Sequence, residues 1–255
     1  MIHTACDRPI KLLFAGGCQV AGYPADESRA FPALAGQMLA RAGFRLEVHT
    51  LPYLRLPHRR RLIAKCKEVE PDVLVLQLGH SELNVRLSTH LRSLWGSRKR
   101  HAHSEDSTIP ANLVKGPIGF YIKAGLKRGI DFCLRHPLVD FESLDARWEA
   151  LLGDVEKCRI PSVVLLSPLP AADLTAMYYR RRALPLFRRI AMENGCSFVD
   201  LLAATPRGMA RHFGLDDYYF DAIHVGEGGQ RAVGEALASH LRVFLTEGAL
   251  TERVG

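Results

Sequence analysis

The chain has 255 residues, 47% of them hydrophobic, with 34 Lys/Arg against 27 Asp/Glu for a formal charge of +7. That length and apolar content suit one large α/β domain or two small ones. No apolar run approaches the roughly 18 residues of a membrane-spanning helix, which excludes a helical membrane protein.

In chain order, Met1 to Arg8 lacks the layout of a secretory signal, so a cytoplasmic location is expected. Ile10 to Gly16 reads as a strand, followed at once by Gly16-Gly17-Cys18-Gln19; a helix is expected from Phe31 to Ala42 and a strand from Arg45 to Leu51. After a helix from Arg59 to Val69 comes Asp72 to Gly79, whose near-continuous apolar run suits a strand buried on both faces, as in a parallel sheet. Further on, a helix is expected over Phe141 to Lys157, a strand over Ser162 to Ser167, and a helical stretch over Leu174 to Glu193 that Pro185 either kinks or splits in two. A strand over Ser197 to Leu201 and a helix over Gly228 to Phe244 complete the series. The alternation predicts a three-layer α/β/α sandwich, flavodoxin-like, with a mostly parallel five-stranded sheet, and residues 1–255 as a single domain. In such sheets ligands bind at the carboxyl ends of the strands, where Cys18, Ser81 and the loop after Leu51 fall.

One stretch, about 85–139, is too long for an ordinary connection and is expected to be a basic insertion or lid. Residues 86–136 hold ten Lys/Arg and three acids, which leaves 24 of each in the rest of the chain, so the whole charge excess lies there. This is either a solvated Arg-rich surface or a site for an anionic partner. Ile118, Ile122, Leu126, Ile130 and Leu134 recur at four-residue spacing, with Lys115, Lys123, Lys127 and Arg128 interspersed. That pattern predicts an amphipathic basic helix: packed on the core, covering an acyl pocket, or lying on a membrane surface. No nucleic-acid motif or aromatic stacking platform accompanies it, so nucleic acid is not expected as a partner. His101 and His103 have no evident third ligand, and neither a metal nor a cofactor is expected. The six cysteines, at 6, 18, 66, 133, 158 and 196, are scattered without a C-x-x-C pair and are expected as free thiols. Arg180 to Arg182, with Arg188 and Arg189, read as a solvated helix face, or alternatively as a phosphate or coenzyme A contact.

The chemistry is carried by the two ends of the chain. In Asp221-Ala222-Ile223-His224 an Asp three positions before a His can hold one imidazole nitrogen and leave the other facing a nucleophile. Cys18, at a strand-to-helix turn, is the candidate nucleophile. With Gly16-Gly17-Cys18 after the first strand, Gly79-His80-Ser81-Glu82 after the third and Asp221-Ala222-Ile223-His224 before the last helix, the chain resembles the SGNH/GDSL hydrolase superfamily. Three departures stand out: the family's G-D-S reads Gly16-Gly17-Cys18, its G-x-N-D or G-x-N-E has Ser81 for Asn, and its loop Gly after the second strand is replaced within Thr50 to Arg55.

The resemblance implies an ester or thioester hydrolase with Cys18 as nucleophile, His224 as base and Asp221 behind it. It also implies oxyanion or substrate-binding groups among Gly17, Gln19, Leu54, Gly79, Ser81 and Asn84. A missing oxyanion donor costs about 10²–10³ in rate, so Ser81, the Cys18 N–H, His80 or Asn84 is called on to compensate. The expected partner is a small acyl ester or thioester, with an anionic carrier or lipid at the basic insertion. Two further readings stay open. One is an acyltransferase that modifies a saccharide or lipid, since Gly-x-Cys-Gln is similar to a block in Cys-containing acetyltransferases of bacterial polysaccharide synthesis. The other is a catalytically degenerate SGNH-fold binding protein.

Overall fold

A computed structural model describes residues 8–24, 26–83, 129, 139–203, 218–220 and 223–251, with side chains to residue 246. Almost all of the basic insertion at about 85–139, including its amphipathic stripe, lies outside the described residues.

Five strands form one sheet: β1 (Ile10–Gly16), β2 (Leu46–Leu51), β3 (Val73–Gln77), β4 (Ser162–Leu166) and β5 (Ser197–Val199), in the order β2-β1-β3-β4-β5. Every neighbouring pair is parallel, with Leu12 opposite Val48 and Val73, and Val75 opposite Val164. The helices are α1 (Phe31–Arg41), α2 (Arg59–Val69), α3 (Phe141–Glu156), α4 (Leu174–Glu193) and α5 (Glu227–Thr251). The sandwich expected from the alternation is the one observed, with an all-parallel rather than a mostly parallel sheet. Pro185 lies inside a single uninterrupted α4, so the two-helix alternative is not adopted.

Strand periodicity sorts the core into two layers. Leu13, Ala15, Leu74, Leu76 and Leu165 point to one face and pack against Leu62 and Cys66 of α2, Leu144, Trp148 and Leu151 of α3, and Tyr179 and Phe187 of α4. Leu12, Phe14, Val73, Val75, Val164 and Leu166 point to the other, against Phe31 and Leu39 of α1 and Val233, Leu237 and Leu241 of α5. A near-continuous apolar run is what a strand covered by helices on both faces requires.

Because β1 is flanked by β2 and β3, the connections leaving β1 and β3 diverge and open a crevice at their carboxyl ends. The chain leaves β3 through Gly79, whose φ is +82° and whose missing Cβ would lie 2.8 Å from Phe187 Cζ and 3.0 Å from Trp148 Nε1. Gly79→Ala adds a left-handed strain and an overpacked contact, and should lower the unfolding free energy by about 1–3 kcal/mol. Urea denaturation of the two proteins measures it.

Candidate active site

Two glycines let β1 end against β3. A Cβ on Gly16 would lie 2.5 Å from the Gln77 carbonyl oxygen and 2.7 Å from Val20 Cγ2. A Cβ on Gly17 would collide with His80 Cε1 and lie 2.8 Å from His80 Nε2. The chain then enters a 3-10 turn, Cys18–Ala21, with half-buried Cys18 at its first position. The Tyr23 N–H donates to the Cys18 carbonyl at 3.2 Å.

The turn is fastened to α5. Gln19 is 2% exposed, and its Oε1 accepts from Gln230 Nε2 at 2.8 Å; Gln230 Oε1 in turn accepts the Phe31 N–H at 2.9 Å. His224 lies just before α5, in a reversal closed by the Tyr219–Val225 bridge, where the Phe220 N–H donates to the His224 carbonyl at 3.1 Å. The His224 ring meets the Tyr23 ring edge to face, centroids 5.0 Å apart. Asp221 lies outside the described residues.

On the β3 side, the Gly17 N–H donates to Gln77 Oε1 at 3.3 Å, and Gln77 Nε2 lies 2.9 Å from His80 Nδ1. With its oxygen engaged by Gly17, the Gln77 amide presents its NH₂ to the imidazole. Nδ1 therefore accepts, and the His80 proton sits on Nε2. Burial, then the charges of Arg180, His224 and Arg55, push the His80 pKa down from 6.5 to about 3. The folded protein keeps His80 neutral while the unfolded chain protonates it below about pH 6.5. Acidification from there toward pH 3 thus favours unfolding, and above that window the penalty vanishes. His80→Gln should flatten this part of the stability–pH curve, as read from urea midpoints between about pH 7 and pH 4.5.

Arg180 is a correction to the surface expectation for its cluster. It is buried, and its Nη1 donates to the carbonyls of Leu169 at 2.6 Å and Pro170 at 2.9 Å, with both terminal nitrogens near the Ile223 carbonyl at 3.5 and 3.4 Å. A guanidinium offers several donors in a fixed fork, so one side chain ties the loop after β4 to the residue preceding His224. Arg188 and Arg189 do lie at the surface, paired with Asp200, and with Asp145 and Glu193.

The remaining expected site residues fall as follows. The Leu54 N–H donates to the Gly16 carbonyl at 2.7 Å, and the Tyr53 N–H to the Gly17 carbonyl at 3.4 Å, so the loop after β2 is held on the glycine pair that precedes Cys18. The Ser81 hydroxyl donates to Glu82 Oε2 at 2.6 Å. Gly79 serves the packing described above, and Asn84 lies outside the described residues. His80 packs on Gly17, the residue before Cys18, and lies within electrostatic reach of His224.

By sequence, no family model and no curated protein matches the chain. Solved structures do match it. A lipase/acylhydrolase from Enterococcus faecalis aligns over 91% of this chain and 95% of its own, with a TM-score of 0.58 and 14% identity. A G-D-S-L family protein from Desulfitobacterium hafniense DCB-2 aligns over 90% and 98%, with a TM-score of 0.56 and 16% identity. The fold is that of the SGNH/GDSL hydrolases. A catalytic mutant of Axe2, an acetylxylan esterase from Geobacillus stearothermophilus, shares this SGNH-type fold over 91% of this chain and 94% of its own, with a TM-score of 0.55 and 14% identity.

The sequence motifs single out Cys18 and His224 but not the residues that brace their segments: Gln77, Gln230, Tyr23 and Arg180. Gln77 carried a signal, being the one polar residue in Val73-Leu74-Val75-Leu76-Gln77-Leu78. A lone amide inside a doubly covered strand must find a buried partner. Arg180 carried one too, since it lies one helical turn from Ala176 and Ala183, both on the core face of α4.

Proposed function

We propose that the protein is an SGNH-type acyl hydrolase acting on a small ester or thioester through Cys18, His224 and Asp221. The observation that carries this reading is the packing of His224 on Tyr23, in the segment that begins at Cys18. That contact supports a base at His224 acting near the Cys18 turn. The fold shared with a lipase/acylhydrolase and an acetylxylan esterase supports the substrate class.

In this reading His224 takes the Cys18 thiol proton as sulfur attacks the acyl carbon. The carbonyl π pair moves to oxygen. The tetrahedral intermediate then collapses, breaking the bond to the leaving alkoxide or thiolate, which receives the proton from His224. Water, deprotonated by His224, attacks the resulting thioester and frees the acid and the Cys18 thiol. Asp221 orients the imidazole and stabilises its cationic form. Tyr53 and Phe220, 49% and 43% exposed, offer aromatic faces for the substrate beside this centre.

Incubation with p-nitrophenyl acetate and a panel of acyl thioesters tests the reading by intact mass. A single acyl adduct mapped to Cys18 is expected, and no adduct with any of them refutes it. His224→Ala should slow adduct formation by roughly 10²–10⁴. The charge excess of residues 86–136 supports a preference for substrates on an anionic carrier. Their KM should then rise with salt, as screening shortens from about 10 Å at 0.1 M to about 3 Å at 1 M, while that of a neutral ester stays constant.

A further inference from the structure

We propose that His80, fixed by Gln77 with its proton on Nε2, is the side-chain donor to the oxyanion formed when an acyl carbonyl is attacked at Cys18. The proposal rests on the acyl-hydrolase reading and names a group that reading leaves open.

The first support is the state of the other donors. The Gly17 N–H is given to Gln77 and the Leu54 N–H to the Gly16 carbonyl. The Ser81 hydroxyl, at the position of the resembled family's Asn, is turned onto the carboxylate of Glu82. Gln19 is buried with its Oε1 on Gln230, and its Nε2, also buried, has no hydrogen-bond partner. The Gly17, Leu54 and Ser81 hydrogens are therefore already committed before any negative charge forms beside Cys18.

The second support is the placement of His80. Its ring edge, Cε1 first and Nε2 at 2.8 Å, crowds the space that a Cβ on Gly17 would need, so it packs on the backbone immediately before the proposed nucleophile. It also lies within the electrostatic reach of His224, the proposed base. The Gly16-Gly17 pair acquires a reason here: Gly16 admits the Gln77 backbone and Gly17 admits the His80 ring.

Chemistry is the third support. An imidazole that is held neutral, with a fixed tautomer, donates to an oxyanion without giving up its proton. Its low pKa also prevents it from competing with His224 for the thiol proton. The Gln77 amide, itself held by the Gly17 N–H, leaves Nδ1 no role but acceptor. Donor preorganisation of this kind is set before substrate arrives and needs no rearrangement as charge develops.

The test compares two reactions of the same sulfur. Acylation of Cys18 by p-nitrophenyl acetate passes through an oxyanion; alkylation by iodoacetamide is a displacement at carbon and does not. Single-turnover rates of both are followed by intact mass in the wild type, His80→Phe and His80→Gln, with His80→Leu as a second donor-less variant should Phe not fold. The expected result is that Phe or Leu slows acylation roughly 10²- to 10³-fold and leaves alkylation unchanged. Gln, which carries an N–H near the same place, should recover part of the acylation rate. Equal slowing of both reactions, or acylation unchanged in every variant, overturns the donor role alone. A wild-type Cys18 that alkylates but is never acylated overturns the hydrolase reading and this proposal with it.

Discussion

Cys18→Ala should reduce kcat on an activated ester by roughly 10⁴–10⁶, the scale lost when a covalent catalyst loses its nucleophile. The thermal midpoint should stay within a degree or two, about what a surface-scale change produces, because half-buried Cys18 belongs to neither face of the sheet core. Cys18→Ser restores the resembled family's usual residue and should nevertheless be slower than the native thiol. The oxygen nucleophile is weak at its own pKa and depends more heavily on His224 for activation. Measuring kcat and thermal midpoint together separates chemistry from folding. A Cys18→Ala protein that turns over at the native rate eliminates covalent catalysis at this position.

Arg180→Met should cost about 3–5 kcal/mol of stability, the range for breaking a buried charged hydrogen-bond set. Methionine fills much of the volume but leaves the carbonyls of Leu169, Pro170 and Ile223 without the donors that the guanidinium supplied. Arg180→Lys should recover only part of the loss, because one ammonium cannot span three carbonyls from a planar fork. Since Ile223 directly precedes His224, kcat should fall in the Met variant even at temperatures where it remains folded. Chemical denaturation and kcat at low temperature read the two effects separately. A change within about 0.5 kcal/mol would assign Arg180 no more than a surface role.

Strand and helix placement was legible because periodicity is local. Each strand sits within two residues of its expected bounds, and the first four helices within one, while α5 is longer than expected. The motifs marked Cys18 and His224 for the same reason: a turn after a strand and a His before a helix are local patterns. The braces were not legible, because each joins residues far apart in sequence. Gln19 and Gln230 meet only once α5 docks beside α1, and no pattern near either residue announces the other. Ser81 shows the limit of motif alignment. Its position matched, yet an adjacent Glu82 captures its hydroxyl, and the ring one residue earlier occupies the crevice. Arg180 was misplaced because three consecutive arginines resemble a solvated face, and only the packing of α4 singles out the one that points inward.

The Gln19–Gln230–Phe31 lock also orders events in time. A ribosome delivers the chain from its N-terminus at about 5–20 residues per second, so the turn bearing Cys18 exists long before Gln230 is translated. Until then the Phe31 N–H and the Gln19 amide lack their partner, and His224 has not been made. A nascent chain therefore carries the Cys18 turn without its α5 brace until synthesis is nearly complete. On the proposed reading, acyl chemistry at Cys18 would have to wait until the last helix docks, which would spare the half-made protein from acylating itself on passing thioesters.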